Sequence, residues 1–231
     1  MILSVHQPQY LPWLGYFDKV AGSDLFVFLD LPQFKKREFQ NRNRIKGANG
    51  EIWLTVPVVS KGKFDQAIRD TQIDNSQDWQ KSHWQSMLQN LKKAPYWDRY
   101  SPGLQAFYTT PYDNLCDLNL KMSLWFFEQL GLQTPWKIES EIGTSTVSTE
   151  RLIELCKKTG ATEYYSGSGG KDYMDQERFT QENLGLSFQH YSHPSYPQRF
   201  ADKGFLPYMS IVDLLMNVGP DSLKVLRGEA A

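Results

Sequence analysis

Three stretches of this sequence combine residue types that chemistry needs. The first follows an apolar start, Met1 to Val5, and runs His6, Gln7, Gln9, Tyr10, Trp13 and Tyr16 around Pro8 and Pro12. A neutral histidine can take or deliver a proton at physiological pH, its flanking carboxamides orient polar groups, and the aromatics shape a wall against which a ring packs. Alone, His6 reads as an ordinary loop histidine; its packed company turns the reading toward a ligand pocket.

The second stretch, Lys35 to Lys46, carries Lys35, Lys36, Arg37, Arg42, Arg44 and Lys46 against Glu38. Arginine forks suit phosphate or carboxylate, and the interleaved Asn41 and Asn43 add neutral donors and acceptors. The plain alternative is a solvated charged face. The third is the loop Ser166, Gly167, Ser168, Gly169, Gly170 with Tyr173 just beyond, where successive backbone amides can face an anion. It matches neither the dinucleotide fingerprint nor the Walker pattern, so a tight turn explains it equally well. His190 and His193 have no Cys or acidic ligands nearby in sequence, and no metal is expected. A nucleophile elbow is absent from the sequence, and Cys116 and Cys156, without CxxC spacing, read as buried free thiols.

The elements that must position these residues follow from periodicity. MILSV predicts a first strand, Gly15 to Ala21 a short helix, and LFVFLD a second strand, followed by a loop bearing the basic tract. Residues 51–59 predict a third strand, with Pro57 pushing its second half to an edge, and 65–74 a short strand-like segment. Ser76 is placed as the cap of a helix to Lys93, YWDRYSPGL as a loop or short helical link, and Asp113 to Leu130 as a core helix stopped by Gly131. Strands at 137–142, TEYYSG and LSFQHYS, a helix after Ser148 or Thr149, and a terminal helix at 210–217 complete the pattern. Strands alternating with helices predict α/β: an open, mostly parallel sheet flanked by helices, in one compact unit over 1–231 with a helix-rich insertion at about 76–130. Such sheets bind ligands outside the carboxyl ends of their strands.

Lys plus Arg 25 against Asp plus Glu 26 leaves no global field for a polyanion or a membrane surface, so any such contact must be local. No apolar run approaches the roughly 18 residues of a membrane span and no signal-peptide pattern opens the chain, which predicts a soluble, cytoplasmic protein.

HQPQYLPWLGYFDK, FVFLD, QFKKREFQNRNRIKG and WLTVPV, with later RLIELCKKTGATEYYSGSGGKDYMD, PSYPQRF and PYMSIVDLLMNVGP, resemble the WbqC-like family over nearly the whole chain. The resemblance implies a bacterial role in surface-polysaccharide biosynthesis, attaching glycine or another small acyl group to an amino sugar. The opening is also similar to pantothenate synthetase and related nucleotidyl-transferring folds, with Gln33 and Phe34 where those carry a Q-F pair. Their paired histidines are replaced here within LPWLGY.

The leading expectation is therefore an amide-forming acyl or aminoacyl transferase, or an ATP-dependent ligase, acting on a nucleotide-linked amino sugar. Arg37, Arg42 and Lys46 would hold phosphates, with Lys36 also among the substrate- or cofactor-binding residues, Asn41 and Asn43 would read hydroxyl or amide groups, and His6 would relay a proton from the attacking amine. The sequence leaves open whether the acyl donor is an adenylate made from ATP, a thioester or an aminoacyl-tRNA. A non-catalytic nucleotide- or RNA-binding module is the alternative from another class, and a structural partner in polysaccharide assembly is a third.

Overall fold

The strand order places the candidate residues. A computed structural model describes residues 1–172 and 174–229. Five strands, β1 (Ile2–His6), β2 (Leu25–Phe28), β5 (Trp136–Ile138), β6 (Glu163–Ser166) and β7 (Gly185–Phe188), form one sheet in the order β5-β2-β1-β6-β7. Every pairing in it is parallel. The chain winds outward from β1 through β2 to β5, then crosses back to lay β6 and β7 on the other side of β1, so the winding reverses between β1 and β6.

Helices cover both faces, as a parallel sheet requires. On one face α1 (Leu14–Ala21) and α4 (Leu115–Leu130) pack with Phe26 and Phe28 of β2, together with α2 (Trp79–Leu91), α3 (Trp97–Thr109) and α8 (Ile211–Val218). On the other, Leu3, Val5, Leu25 and Val27 meet α6 (Ser148–Thr159) and α7 (Gln176–Gln181). The alternation along β1 and β2 divides the two cores. Short helices α5 (Glu139–Ile142) and α9 (Ser222–Leu226) complete the set. Gly131 and Gly160 end α4 and α6 in the left-handed conformation that a glycine adopts without Cβ strain.

The basic tract departs from the expected loop. Arg42–Gly47 is a strand, β3, paired antiparallel with β4 (Gly50–Thr55) in a separate two-stranded hairpin. Its alternation was hidden because one inward residue is an amide: Asn43 is buried and donates through Nδ2 to the Leu11 carbonyl at 2.6 Å. The segment 65–74 forms a 3-10 turn at Ile68–Asp70 and isolated bridges rather than a strand. The YWDRYSPGL stretch is the first half of α3, with Pro102 inside. Pro102 removes one helical hydrogen bond, but the face bearing Trp97, Tyr100, Leu104 and Phe107 is buried, and packing outweighs the loss. Ser76 does not cap α2; its hydroxyl donates to Asp74 at 2.6 Å and Asp78 stands at the cap.

Candidate functional site

β1 and β6 pair only through Ile2–Glu163 and Leu3–Tyr164, yet both strands continue, to His6 and Ser166. Their carboxyl ends therefore part, and a crevice of about 330 Å³ opens there, lined by His6, Gln7, Lys19, Leu29, Ser166 and Gly167 among others. A smaller hollow of about 170 Å³ continues it past Trp13, Gly15 and Tyr16, sharing His6, Lys19, Gly167 and Gly169. This is the switch point of the sheet, where open α/β folds bind ligands.

Lys19 holds the gap open. The carbonyls of Ile2 and His6 accept from Asp24 and Leu29 on the β2 side, so Val5, an odd residue of the same strand, points its carbonyl toward β6. No β6 amide reaches it; the Lys19 Nζ donates to it instead at 2.9 Å. Lys19 is only 4% exposed and forms no ion pair among the described residues, and burial brings its ammonium down from 10.5 to about 7. It therefore gives up its proton far more readily than an exposed lysine, and its remaining N–H bonds are available to the crevice it lines.

His6 faces the same space. Burial, and then the charge of Lys19, hold its imidazole well below the usual histidine range, so it is neutral at physiological pH. Its Nδ1 lies 3.1 Å from the Gln7 carbonyl, an acceptor, which fixes the proton on Nδ1 and leaves the lone pair on Nε2. The Tyr16 ring, 4.9 Å away, backs the imidazole. Opposite stands the glycine loop. A Cβ on Gly170 would lie 2.1 Å from Ser166 Oγ, and one on Gly167 3.8 Å from Lys19 Nζ, so Gly170 permits the tight turn and Gly167 sits beside the lysine amine.

The crevice thus gathers His6, Gln7, Trp13, Tyr16, Ser166, Gly167, Gly169 and Gly170 from the residues singled out in sequence. Gln9 and Tyr10 point away from it. Gln9 is buried, and the Tyr10 hydroxyl lies in the helical core, 2.8 Å from His83 Nδ1 and 2.7 Å from the Tyr108 hydroxyl. The expected phosphate set is dispersed. Lys36 and Arg37 are exposed on the loop before β3, and Arg42 lies over the Trp53 ring at 4.6 Å. Asn41 and Asn43 hold backbone carbonyls, and buried Lys46 donates to the Gly204 carbonyl at 2.6 Å, so these three brace the hairpin and its neighbours. Gln33 donates to the Phe64 carbonyl and is exposed outside the crevice. One thread links loop and crevice: Gln40 Nε2 donates to Gln7 Oε1 at 2.7 Å while its Oε1 accepts from the Lys35 amide. Tyr173 lies outside the described residues.

Sequence reasoning missed Lys19, which reads as one charge in an amphipathic helix. Its signal was positional: Lys19 lies one turn beyond Gly15, on the face otherwise buried by Tyr16 and Val20. Among the described residues no three His, Cys, Asp or Glu side chains gather as a metal site. Both His193 nitrogens lie within hydrogen-bond reach of backbone, at the Pro194 carbonyl and the Tyr208 amide. Cys116 and Cys156 are buried free thiols, pushed up to about 12 by burial. No helix among the described residues is long and apolar enough to cross a membrane.

A parallel sheet wound both ways from β1, with a polar crevice where the winding reverses, defines a doubly wound α/β protein. Within that class the chain belongs to the WbqC-like protein family, whose model matches residues 7–225. It is 37% identical over 227 residues to an uncharacterized protein of Mycobacterium tuberculosis (strain ATCC 25618 / H37Rv), Rv1507c, covering 97% of each chain. No solved structure gives a significant match.

Proposed function

We propose that this protein forms an amide, transferring a small acyl group such as glycyl to the amine of a nucleotide-linked amino sugar. The observation that carries the reading is the pairing, in one crevice, of a neutral His6 whose Nε2 lone pair is free with a lysine brought to about 7. Acyl transfer needs both a base for the attacking amine and positive charge where negative charge develops. The amine nitrogen attacks the carbonyl carbon of an activated acyl donor and the new C–N bond forms. His6 Nε2 takes the proton released from nitrogen. The bond from the carbonyl carbon to the leaving group breaks, releasing a phosphate, a thiolate or the tRNA's terminal ribose oxygen according to the donor, and the proton passes from His6 to that group or to solvent. Protonated Lys19, beside Gly167, faces the charge on the carbonyl oxygen or on the leaving group.

The test supplies glycyl-adenylate (or glycine with ATP), a glycyl thioester and glycyl-tRNA in turn, with a panel of nucleotide-linked amino sugars, and detects amide product by mass. One donor class should give product. His6→Ala should lower turnover by about 10²–10⁴-fold while ligand binding is retained. Unchanged turnover in that variant, or no amide from any donor, would overturn the reading.

A further inference from the structure

Trp13 has two sides. One lines the hollow beside His6 and Lys19; the other closes a separate cleft of about 270 Å³ with Phe39, Arg44 and Tyr208. That volume falls below the roughly 300–1,000 Å³ of a complete ligand pocket, so the cleft suits part of a ligand whose remainder lies across Trp13.

The cleft is built of flat groups. The Trp13 and Tyr208 rings stand 6.0 Å apart, and Phe39 stands 6.3 Å from Trp53, whose face also carries the Arg44 guanidinium at 5.4 Å. Phe39 and Tyr208 are 37% and 51% exposed, so both offer ring surface to a ligand in the cleft. Tyr208 is held there at a cost: its φ of 60° lies in the left-handed region, which a side chain other than glycine's rarely adopts. Its amide donates to His193 Nε2 at 3.0 Å and its carbonyl accepts from Arg44 Nε at 3.3 Å, so both backbone groups fix the ring's position. The Glu51 carboxylate is already taken, since Arg44 Nη1 donates to both its oxygens at 2.7 Å. A hydroxyl-rich sugar ring would find few free acceptors on these walls, whereas a nucleobase asks mainly for π faces and tolerates few polar partners.

We propose that the Trp13–Phe39–Arg44–Tyr208 cleft is a nucleobase slot, holding the base of a nucleotide whose phosphates reach past Trp13 toward Lys19 and the Gly167 loop. This rests on the reading of the crevice as the site for a nucleotide-linked substrate, and it assigns that substrate's base to a definite place.

Calorimetric titration of the full chain with ADP, UDP, pyrophosphate and N-acetylglucosamine 1-phosphate tests it, with Tyr208→Ala and Phe39→Ala as variants of exposed residues. The tighter of the two nucleotides should bind about tenfold to a hundredfold better than pyrophosphate, the range expected of base–aromatic stacking. Both variants should erase most of that advantage and leave pyrophosphate affinity unchanged. Equal affinity for nucleotide and pyrophosphate, no binding of either nucleotide, or an advantage untouched by both variants overturns the slot. An equal Tyr208-dependent gain for the sugar phosphate overturns it in favour of a sugar site. If the base-dependent gain holds while no amide forms in any transfer assay, the slot stands and the transferase reading falls. If amide forms and the base adds nothing, the reverse holds.

Discussion

Lys19→Met separates the charge of Lys19 from the space its side chain fills. Burial takes this ammonium from 10.5 to about 7 in a side chain 4% exposed. At about 1.4 kcal/mol per pH unit, the folded state then carries a penalty of up to about 5 kcal/mol while the lysine is charged. Because the folded-state value of this base is depressed, both states hold the proton below about pH 7 and the penalty is complete there. From about 7 to about 10.5 the unfolded chain holds more of the proton than the folded one, so wild-type stability climbs with pH, by about 2 kcal/mol between about pH 7 and about pH 9. Methionine does not titrate, but it leaves the Val5 carbonyl without its Lys19 donor, a loss of about 1–3 kcal/mol. Near pH 6 the variant should exceed the wild type by about 2–4 kcal/mol, and that lead should shrink by about 3 kcal/mol near pH 9. In calorimetry a chain of this size moves about 2–4 °C per kcal/mol, so the gap in Tm narrows by about 6–12 °C. His6 is present in both chains, and its burial holds the imidazole low in each. A gap independent of pH would refute the buried-amine account of the crevice.

Gly15→Ala tests the wall that crevice and cleft share. A Cβ on Gly15 would stand 2.2 Å from Trp13 Cη2, so the indole must swing off α1. Nucleotide affinity should drop about tenfold with a shifted tryptophan emission, and the helix itself tolerates alanine; wild-type affinity would show that Trp13 is no shared wall. Tyr10→Phe removes a hydroxyl that joins His83 and Tyr108 in the core, leaving two buried polar groups without it. Stability should drop by about 2 kcal/mol, read as a fall of roughly 4–8 °C in Tm, with ligand affinity unchanged. An affinity loss at wild-type stability would return Tyr10 to the site.

How much of this was legible in the sequence depended on whether the deciding interaction was local. The βαβ opening was, because Leu14, Phe17 and Val20 repeat at helical spacing between two apolar strands. So was His6 at a strand end, since the apolar run Met1 to Val5 stops there. The basic tract was placed on a loop because its charges mask a strand whose partners are distant: Lys46 is buried with its ammonium on the Gly204 carbonyl, 158 residues away in sequence. Tyr10 was read as a wall residue for a similar reason, its partners lying on α2 and α3, far along the chain. Lys19 was missed because its place on α1 signals burial but not its role, which rests on a missing pairing between β1 and β6 that no local pattern records.

That missing pairing also explains why the chain keeps a residue that burial penalises. Had β6 paired with β1 to its end, the Val5 carbonyl would be satisfied by backbone, Lys19 would be superfluous, and the strand ends would be closed. With the strands parted, the carbonyl needs a donor long enough to reach from α1, and an ammonium supplies one N–H to it while keeping the others for the crevice. An anionic group arriving at Nζ offsets the burial of the charge, so ligand binding and protonation of Lys19 favour each other. On the proposed function, stability that the charged lysine costs the fold would be recovered by an anion bound at Nζ, the trade expected of a residue that serves binding rather than folding. One short segment from Trp13 to Lys19 then carries the indole between the two hollows, the glycine beneath it and the lysine that parts the strands. A ring held on one side of Trp13 and an anion at Lys19 on the other would thereby be set at a spacing fixed by the first two turns of α1.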